Sequence, residues 1–147
     1  MSRYLIRNCT LADLRELART MRAEDRAEIE GMGCVVRHFL FRLYRASFEP
    51  RVAIVDGEVA AAWGDHAGLL GDEGLMWAFT APPVARLPLA FFRESRREVA
   101  DRLKIRRSLI TDVADGYKAA QRFFRLVGFQ IDEPVNGYRR MTIRRAA

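Results

Sequence analysis

The segment Ala120-Gln121-Arg122-Phe123-Phe124-Arg125-Leu126-Val127-Gly128-Phe129 decides the fold. Apolar residues recur in it at helical spacing, which predicts a helix from Tyr117 to Val127. Gly128 follows as a helix stop, because glycine adopts the left-handed conformation that often ends a helix. Phe129 then begins a strand to Ile131, so the segment predicts a helix, a reversal and a strand in direct succession.

Strands and a further helix are predicted on either side of this segment. Ser108–Val113 precedes it as a buried strand. Tyr138–Ile143 follows it as the partner of Phe129–Ile131, reached through Pro134 and the turn Asn136-Gly137. Earlier in the chain a helix is predicted from Pro88 to about Leu103, because proline suits the first position of a helix.

The two faces of this earlier helix are predicted from the spacing of its apolar residues. Phe92, Val99 and Leu103 are expected to point inward, with Leu89 packing into the core beside Phe92. The outward positions are then three arginines, Arg93, Arg97 and Arg102.

The N-terminal half is predicted to be helical first and extended afterwards. Thr10 and Asp13 form a capping-box-like start of the first helix, in which a side-chain oxygen satisfies a free backbone N–H. Asp56-Gly57 is the turn of a predicted hairpin. The other elements are a strand at Tyr4–Ile6, a charged helix over Met21–Met32, a helix from Val36 to Ser47, strands at Val52–Val55, Glu58–Trp63 and Leu75–Thr80, and a glycine-rich connection over Gly64–Gly74.

The composition is that of one globular domain over residues 1–147. Half of the residues are hydrophobic, yet no run approaches the roughly 18 apolar residues of a membrane helix. Met1–Asn8 has no apolar core of signal-peptide length. A secreted domain would more often show a disulfide framework, so Cys9 and Cys34 are expected to be buried free thiols in a reducing compartment.

The net charge of +6 comes almost entirely from arginine, since Lys104 and Lys118 are the only lysines. A guanidinium group binds phosphate or carboxylate as a planar fork, so nucleic acid, CoA phosphates or an acidic protein would suit such a surface. No aromatic stacking pattern accompanies the arginines, which favours an ordinary solvated surface.

The order of the predicted elements, β-α-α-α-β-β-β-α-β-α-β-β, resembles the GNAT acetyltransferase fold over nearly the whole chain. Ala120–Phe129 looks like the family segment A-x-x-x-Y-x-x-x-G-F. The resemblance implies an α/β fold of the acyl-CoA N-acyltransferase type, with a mixed central sheet flanked by helices. It also implies acetyl-CoA as cofactor and N-acetyl transfer as activity.

Within this superfamily the chain most resembles small GNAT-like proteins of tailed phages, of the internal-virion or core-assembly type. The segments that carry the resemblance are Ile6-Arg7-x-x-Thr10-x-x-Asp13, Met21–Ile29 and Leu70–Gly74. It implies a structural or assembly protein in the virion or the host cytoplasm, with other phage proteins or further copies of itself as partners and no membrane.

Two positions of the family's machinery differ in this chain. The pyrophosphate cradle, usually Q/R-x-x-G-x-G/A, is best matched from Arg86, which makes Arg86 the candidate cofactor-binding residue. Leu89 and Phe91 then stand where small residues let the phosphate approach the backbone, and Pro88 removes one N–H. The tyrosine that often protonates the leaving thiolate is replaced by Phe124.

Candidate catalytic groups remain. Asp72 and Glu73 precede the central strand, near the place where some family members carry a general base, and Tyr117 is a substitute proton donor. Further carboxylates, at Glu24, Asp25 and Glu28, lie on the segment that usually borders the acceptor site. For each of these groups the alternative is a solvated or packing side chain.

Metal binding is not predicted. Cys34 and His38 are spaced four residues apart and would supply half a zinc site, with Cys9 or His66 as distant partners. Because no second close pair exists, a core cysteine and a surface histidine are the favoured interpretation.

Three functions follow from these patterns. The first is a non-catalytic, cofactor-free phage assembly protein, with complementary patches at acidic residues 24–30 and at Arg93, Arg96, Arg97, Arg106 and Arg107. The alternative is an acetyl-CoA-dependent N-acetyltransferase with a divergent cofactor loop. The third is a nucleic-acid-binding module that uses Arg139, Arg140, Arg144 and Arg145.

Overall fold

The computed structural model describes residues 3–68 and 71–146 and confirms the predicted order of elements. The helices are α1 (Leu11–Thr20), α2 (Ala23–Gly31), α3 (Val36–Ala46), α4 (Leu89–Leu103) and α5 (Lys118–Val127), with a short 3-10 helix at Pro82–Arg86. The strands are β1 (Tyr4–Asn8), β2 (Phe48–Val55), β3 (Glu58–Ala67), β4 (Glu73–Thr80), β5 (Ser108–Ala114), β6 (Gln130–Ile131) and β7 (Tyr138–Arg144). Leu70, in one of the segments that resemble phage proteins, lies outside the described residues.

The strands follow the order β1-β2-β3-β4-β5-β7-β6 in one mixed sheet. β4 and β5 run parallel, with Glu73 opposite Ser108, while β1–β2, β2–β3, β5–β7 and β6–β7 are antiparallel. A parallel pair needs a crossover, which the 3-10 helix and α4 supply. The predicted hairpin turn at Asp56-Gly57 is confirmed, since both residues have positive φ, as a tight type I′ turn requires. Asn136-Gly137, in the predicted connection to the last strand, has the same signs of φ.

The chain forms two compact units. The first unit comprises the described residues of Met1–His66 together with Trp77–Pro88, and the second those of Ala67–Met76 together with Leu89–Ala147. One domain over residues 1–147 therefore stays a prediction. None of the helices in the described ranges has the length and apolar character needed to cross a membrane.

The first unit has a core built by α1, α2 and α3 on strands β2 and β3. Leu17, Ile29, Leu40 and Val52 are all at most 1% exposed. The predicted capping box of α1 is confirmed, since Asp13 N–H donates to Thr10 Oγ1 (3.2 Å) and Thr10 N–H donates to Asp13 Oδ2 (2.8 Å). Two of the four free N–H groups at this helix end are thereby satisfied.

The second unit has an aromatic core on α4 and α5. Phe91, Phe123, Phe124 and Phe129 follow one another with ring centroids 5.1–6.3 Å apart. Gly128 adopts φ 114°, so the predicted glycine stop of α5 is confirmed.

The predicted faces of α4 were wrong at two positions. Leu89 is 70% exposed, whereas Phe91 is 3% exposed. The buried side runs through Phe91, Ser95 and Val99 at four-residue spacing, and a residue two positions from Phe91 lies about 200° away around the helix. Arg102, predicted outward, is buried at 6% exposure because its position adjoins the same stripe at Leu103.

The glycine-rich connection is also shorter than predicted, because β3 continues through Gly64 to Ala67. A Cβ atom at Gly64 would lie 3.0 Å from the ring of Trp77. The missing side chain therefore lets the indole pack on the strand, where Trp77 Nε1 donates to Ser47 Oγ (2.7 Å). Gly64 therefore allows close packing within a strand, whereas the glycine-rich sequence had predicted a loop at this position.

Candidate functional site

Arg86, the candidate cofactor residue, ends the 3-10 helix of the first unit and is engaged there by carboxylates. Its guanidinium hydrogen-bonds to the Glu58 carboxylate and lies 3.8 Å from Asp56 Oδ2. Both partners belong to the β2–β3 hairpin, since Asp56 is in the turn and Glu58 begins β3. A phosphate at Arg86 would have to compete with two negative charges already in place.

The residues that follow do not fit a pyrophosphate cradle. Leu89 begins α4 with an exposed isobutyl side chain, at the position where glycine would leave the backbone open. Pro88 before it has no N–H to donate. Phe91, by contrast, packs against Phe92 and Phe123 inside the second unit, so its bulk lies in the core.

Phe124, at the position where the sequence resemblance places a tyrosine, is a core residue. It is 5% exposed and makes edge-to-face contacts with Phe129 (5.1 Å) and Phe123 (5.6 Å). A phenyl ring has no proton to donate. The position therefore contributes packing and no acid chemistry.

Tyr117, the substitute donor, is the N-cap residue of α5 and is half-buried. Its N–H donates to the Ala114 carbonyl (2.9 Å), and its own carbonyl accepts from Gln121 N–H (3.2 Å). It precedes Phe124 by two helical turns, which is about 10 Å along the axis. Tyr117 thus stands at the opposite end of α5 from Phe124, the position it would have to replace.

The two candidate bases, Asp72 and Glu73, lie together in the second unit where β4 begins. Asp72 is exposed, its carboxylate is 3.8 Å from Arg107, and its carbonyl accepts Arg107 N–H (2.6 Å). Glu73 is half-buried, and its carbonyl accepts Gly68 N–H (2.7 Å). These contacts hold the connection between β3 and β4 and the connection between α4 and β5 in place. Asp72 and Glu73 therefore have ordinary structural roles.

The other candidate carboxylates lie on α2 in the first unit and have separate roles. Asp25 is 3% exposed and its Oδ2 accepts both the N–H and the hydroxyl of Thr80, each at 2.7 Å. Glu24 is 3.8 Å from Arg22 on the surface, and Glu28 is half-buried. Asp25 is therefore a fixed link between α2 and β4 and is withdrawn from solvent.

The cysteines are free, and they differ in environment. Cys9 is buried, which raises the pKa of its thiol to about 12, with a further contribution from the Asp13 charge. Cys34 was predicted to be buried, but it is half-buried because it lies before α3 begins; the surface position predicted for His38 is confirmed. Among the described residues, no three histidine, cysteine or acidic side chains come together as a metal site.

A groove of about 360 Å³ lies in the first unit beside Arg86. Its polar groups bind each other, since Glu16 Oε2 accepts Val59 N–H (2.7 Å) and Glu58 binds Arg86. The lining residues are Glu16, Thr20, Glu58, Val59, Pro82, Pro83 and Arg86. No local pattern predicts this groove, because its walls come from three separated segments of the chain.

The arginines of the C-terminal strand are partly neutralised. Arg139 donates to Asp115 (2.5 Å) and Arg140 donates twice to Asp112 (3.2 and 3.4 Å). The Arg139 hydrogen bond lowers the pKa of Asp115, which keeps that carboxylate charged. The other two predicted nucleic-acid contacts, Arg144 and Arg145, form no such pair with any residue that the structure describes, and Arg145 donates to the Lys104 carbonyl (3.3 Å).

The predicted arginine cluster of the second unit is partly used as well. Arg96 donates to the Leu126 carbonyl (2.9 Å), and Arg107 is the partner of Asp72. Arg93 and Arg97 are exposed on α4.

No family model and no curated protein matches this chain. Solved structures do. A GNAT-family acetyltransferase from Streptococcus pneumoniae aligns with a TM-score of 0.63 at 16% identity, over 97% of this chain and 99% of that chain. The GNAT domain of S. lividans PAT aligns with a TM-score of 0.69 at 15% identity, over 95% and 89%.

A third similar structure is the PaiA N-acetyltransferase from Thermoplasma acidophilum in complex with coenzyme A. It aligns with a TM-score of 0.67 at 10% identity, over 97% of this chain and 99% of that chain. The predicted fold is therefore confirmed: the chain has the mixed α/β fold of GNAT acetyltransferases. Identities this low concern the fold alone, and these comparisons give no support to a phage relationship.

Proposed function

We propose that this chain uses the GNAT fold as a binding scaffold and does not transfer acetyl groups. The observation that carries the proposal is Phe124, a buried ring in the position of the family's proton-donating tyrosine. A thiolate leaving group without a donor is released more slowly, and general acid catalysis is typically worth about 10²–10⁴-fold in rate.

The cofactor segment supports the same proposal. Arg86 is held by Glu58 and Asp56, Pro88 lacks a donor, and Leu89 places a bulky side chain at the start of α4. Anion binding at a helix start depends on open backbone N–H groups, so each of these features opposes it.

The experiment is isothermal titration calorimetry of the chain with acetyl-CoA and with CoA. We expect no binding tighter than about 1 mM. The matched variant Leu89→Gly opens the backbone at one position and leaves the core intact. Binding by this variant alone would assign the block to the Leu89 side chain and support the proposal, whereas micromolar binding by the unmodified chain would contradict it.

The partners that we propose are phage structural proteins or further copies of the chain, as the resemblance of Ile6–Asp13 and Met21–Ile29 implies. Mass spectrometry of purified particles tests this assignment, after crosslinking to identify neighbours. Recovery of the chain in particles, crosslinked to a virion protein or to itself, is the expected result. Its presence only as free protein outside particles would contradict the assignment.

One observation favours a second candidate, an acetyl-CoA-dependent N-acetyltransferase. Leu89 is 70% exposed, so its side chain does not fill the interior of its unit and is free to move aside. Asp72 or Glu73 would then be the base. An amine-dependent release of free CoA from acetyl-CoA, lost in the Asp72→Asn/Glu73→Gln variant, would establish this candidate in place of the scaffold.

A further inference from the structure

The outward face of α3 is an exposed basic surface with an aromatic centre. Residues at 100° spacing place Arg37, Phe41 and Arg45 in one row along the helix, with His38 and Arg42 beside them. All five are exposed. The opposite side of the helix carries Val36 and Leu40, which are 5% and 1% exposed. We call the five exposed residues the α3 face.

The charges of the α3 face are not neutralised by the protein. α3 contains no acidic residue. Within residues 3–68 and 71–146, no carboxylate lies in ion-pair distance of Arg37, Arg42 or Arg45. In this respect the α3 face differs from the C-terminal strand, where Arg139 and Arg140 have aspartate partners.

The acidic residues of α2, the helix that precedes α3 in the chain, do not neutralise the α3 face. On α2, Asp25 is bound to Thr80, and Glu24 lies beside Arg22. A second copy would also bring its own net charge of +6 to the α3 face, whereas a polyanion would bring only negative charge. An external polyanion is therefore a better complement to the α3 face than α2 of another copy.

Aromatic rings hold the arginine side chains at this surface. The Arg45 guanidinium carbon lies 5.8 Å from the centre of the Phe41 ring, and that of Arg42 lies 6.0 Å from the centre of the Phe39 ring. Such cation–π contacts order the guanidinium groups without neutralising them. Phe41 itself is 44% exposed, so part of its ring is available to a ligand.

We propose that the α3 face binds single-stranded nucleic acid, with phosphates at Arg37, Arg42 and Arg45 and a base stacked on Phe41. Arg37 and Arg45 are eight residues apart, about 12 Å along the helix, with Phe41 midway between them. This alternation of cation and ring suits a strand whose unstacked bases and phosphates alternate in the same way. A membrane surface would call for a continuous apolar face, and here one apolar side chain stands among four polar ones.

Fluorescence anisotropy with a labelled oligothymidylate of about 16 nucleotides tests the proposal. Three phosphate contacts predict that the logarithm of the affinity falls with the logarithm of salt concentration with a slope of about −2. The triple variant Arg37→Gln/Arg42→Gln/Arg45→Gln is expected to bind at least about tenfold more weakly. The matched control Arg93→Gln/Arg97→Gln/Arg122→Gln removes the same charge from the second unit and is expected to change binding by less than about twofold.

Phe41→Ala separates stacking from charge. It is expected to weaken binding of oligothymidylate about tenfold and to leave binding of inorganic polyphosphate, which has no bases, unchanged. Circular dichroism confirms that each variant is folded. Equal losses in the two triple variants would overturn the proposal, as would binding to anionic phosphatidylserine vesicles without binding to the oligonucleotide. Neither result depends on acetyl-CoA, so this proposal and the scaffold proposal fail separately.

Discussion

The two units of this chain use polar and aromatic side chains in opposite ways. In the first unit carboxylates join elements that are distant in sequence, as the buried Asp25 does with Thr80 and the half-buried Glu16 with Val59. In the second unit the joining groups are phenyl rings, and the aspartates Asp112 and Asp115 form ion pairs at the surface.

The difference shows which side chains are left for function. The acidic residues of α2 look available in the sequence, yet Asp25 is a structural link. Phe124, at the position that the resemblance to the GNAT family assigns to a tyrosine, is a core residue. Arg37, Arg42 and Arg45 on α3 are exposed, and none of them has a carboxylate partner among the described residues. No motif in the sequence marks them.

The largest effect is expected in the second unit. Phe124→Ala removes the centre of the ring cluster and should lower the free energy of unfolding by about 4 kcal/mol, because truncation of a buried ring also leaves a cavity. Urea unfolding followed by fluorescence measures it. Phe124→Leu is the matched variant, expected to cost about half as much or less. Equal and small losses would show that the cluster does not hold this unit together.

A somewhat smaller effect is expected for the carboxylate link of the first unit. Asp25→Ala leaves the N–H and hydroxyl of Thr80 without their acceptor and should lower the free energy of unfolding by about 2–3 kcal/mol. The control is Glu24→Ala, one residue away on the surface, with an expected change within about 0.5 kcal/mol. Similar values for the two variants would remove the contrast between the units.

The capping box of α1 predicts a dependence of stability on pH. Burial opposes ionisation of Asp13, but hydrogen bonds from Arg7 and Thr10 outweigh it and lower the pKa of Asp13 below its usual value. The unfolded chain then binds the proton more readily, so the stabilisation is present above about pH 4, the ordinary aspartate pKa, and is lost as pH falls through the lower folded value.

Urea unfolding between about pH 6 and pH 2 measures this loss, and Asp13→Asn should flatten the acid side of the profile. At neutral pH this variant should cost about 1 kcal/mol, as the loss of one cap does. An unchanged acid profile would show that other carboxylates govern the response.

The last prediction concerns the rate at which the two thiols react with a disulfide reagent, and it involves no change in stability. At pH 8 the buried Cys9 thiol, with its pKa raised to about 12, should react with a disulfide reagent far more slowly than the half-buried Cys34. One fast and one slow thiol are expected, with the fast phase absent in Cys34→Ser. Two equal fast phases would mean that the first unit opens readily around Cys9.

Much of the fold could be predicted from local patterns. The order of elements, the capping box at Thr10, the hairpin turn at Asp56-Gly57 and the stop at Gly128 depend on residues close in sequence, so spacing and turn chemistry are sufficient for them. Predictions failed where a distant partner decided the outcome. Gly64 lies in a strand against the ring of Trp77, and the buried side of α4 includes Phe91 because Phe91 packs against Phe123 of α5.

By itself the sequence determined the element order and the absence of a hydroxyl at position 124, since both are properties of residue types along the chain. The tertiary structure alone decided which charges are available. Asp25, Arg139 and Arg140 are occupied by neighbours, while Arg37, Arg42 and Arg45 are left exposed. A charged side chain is neutralised only by oppositely charged groups that the fold brings close to it. The net charge of a sequence does not give the distances between those groups.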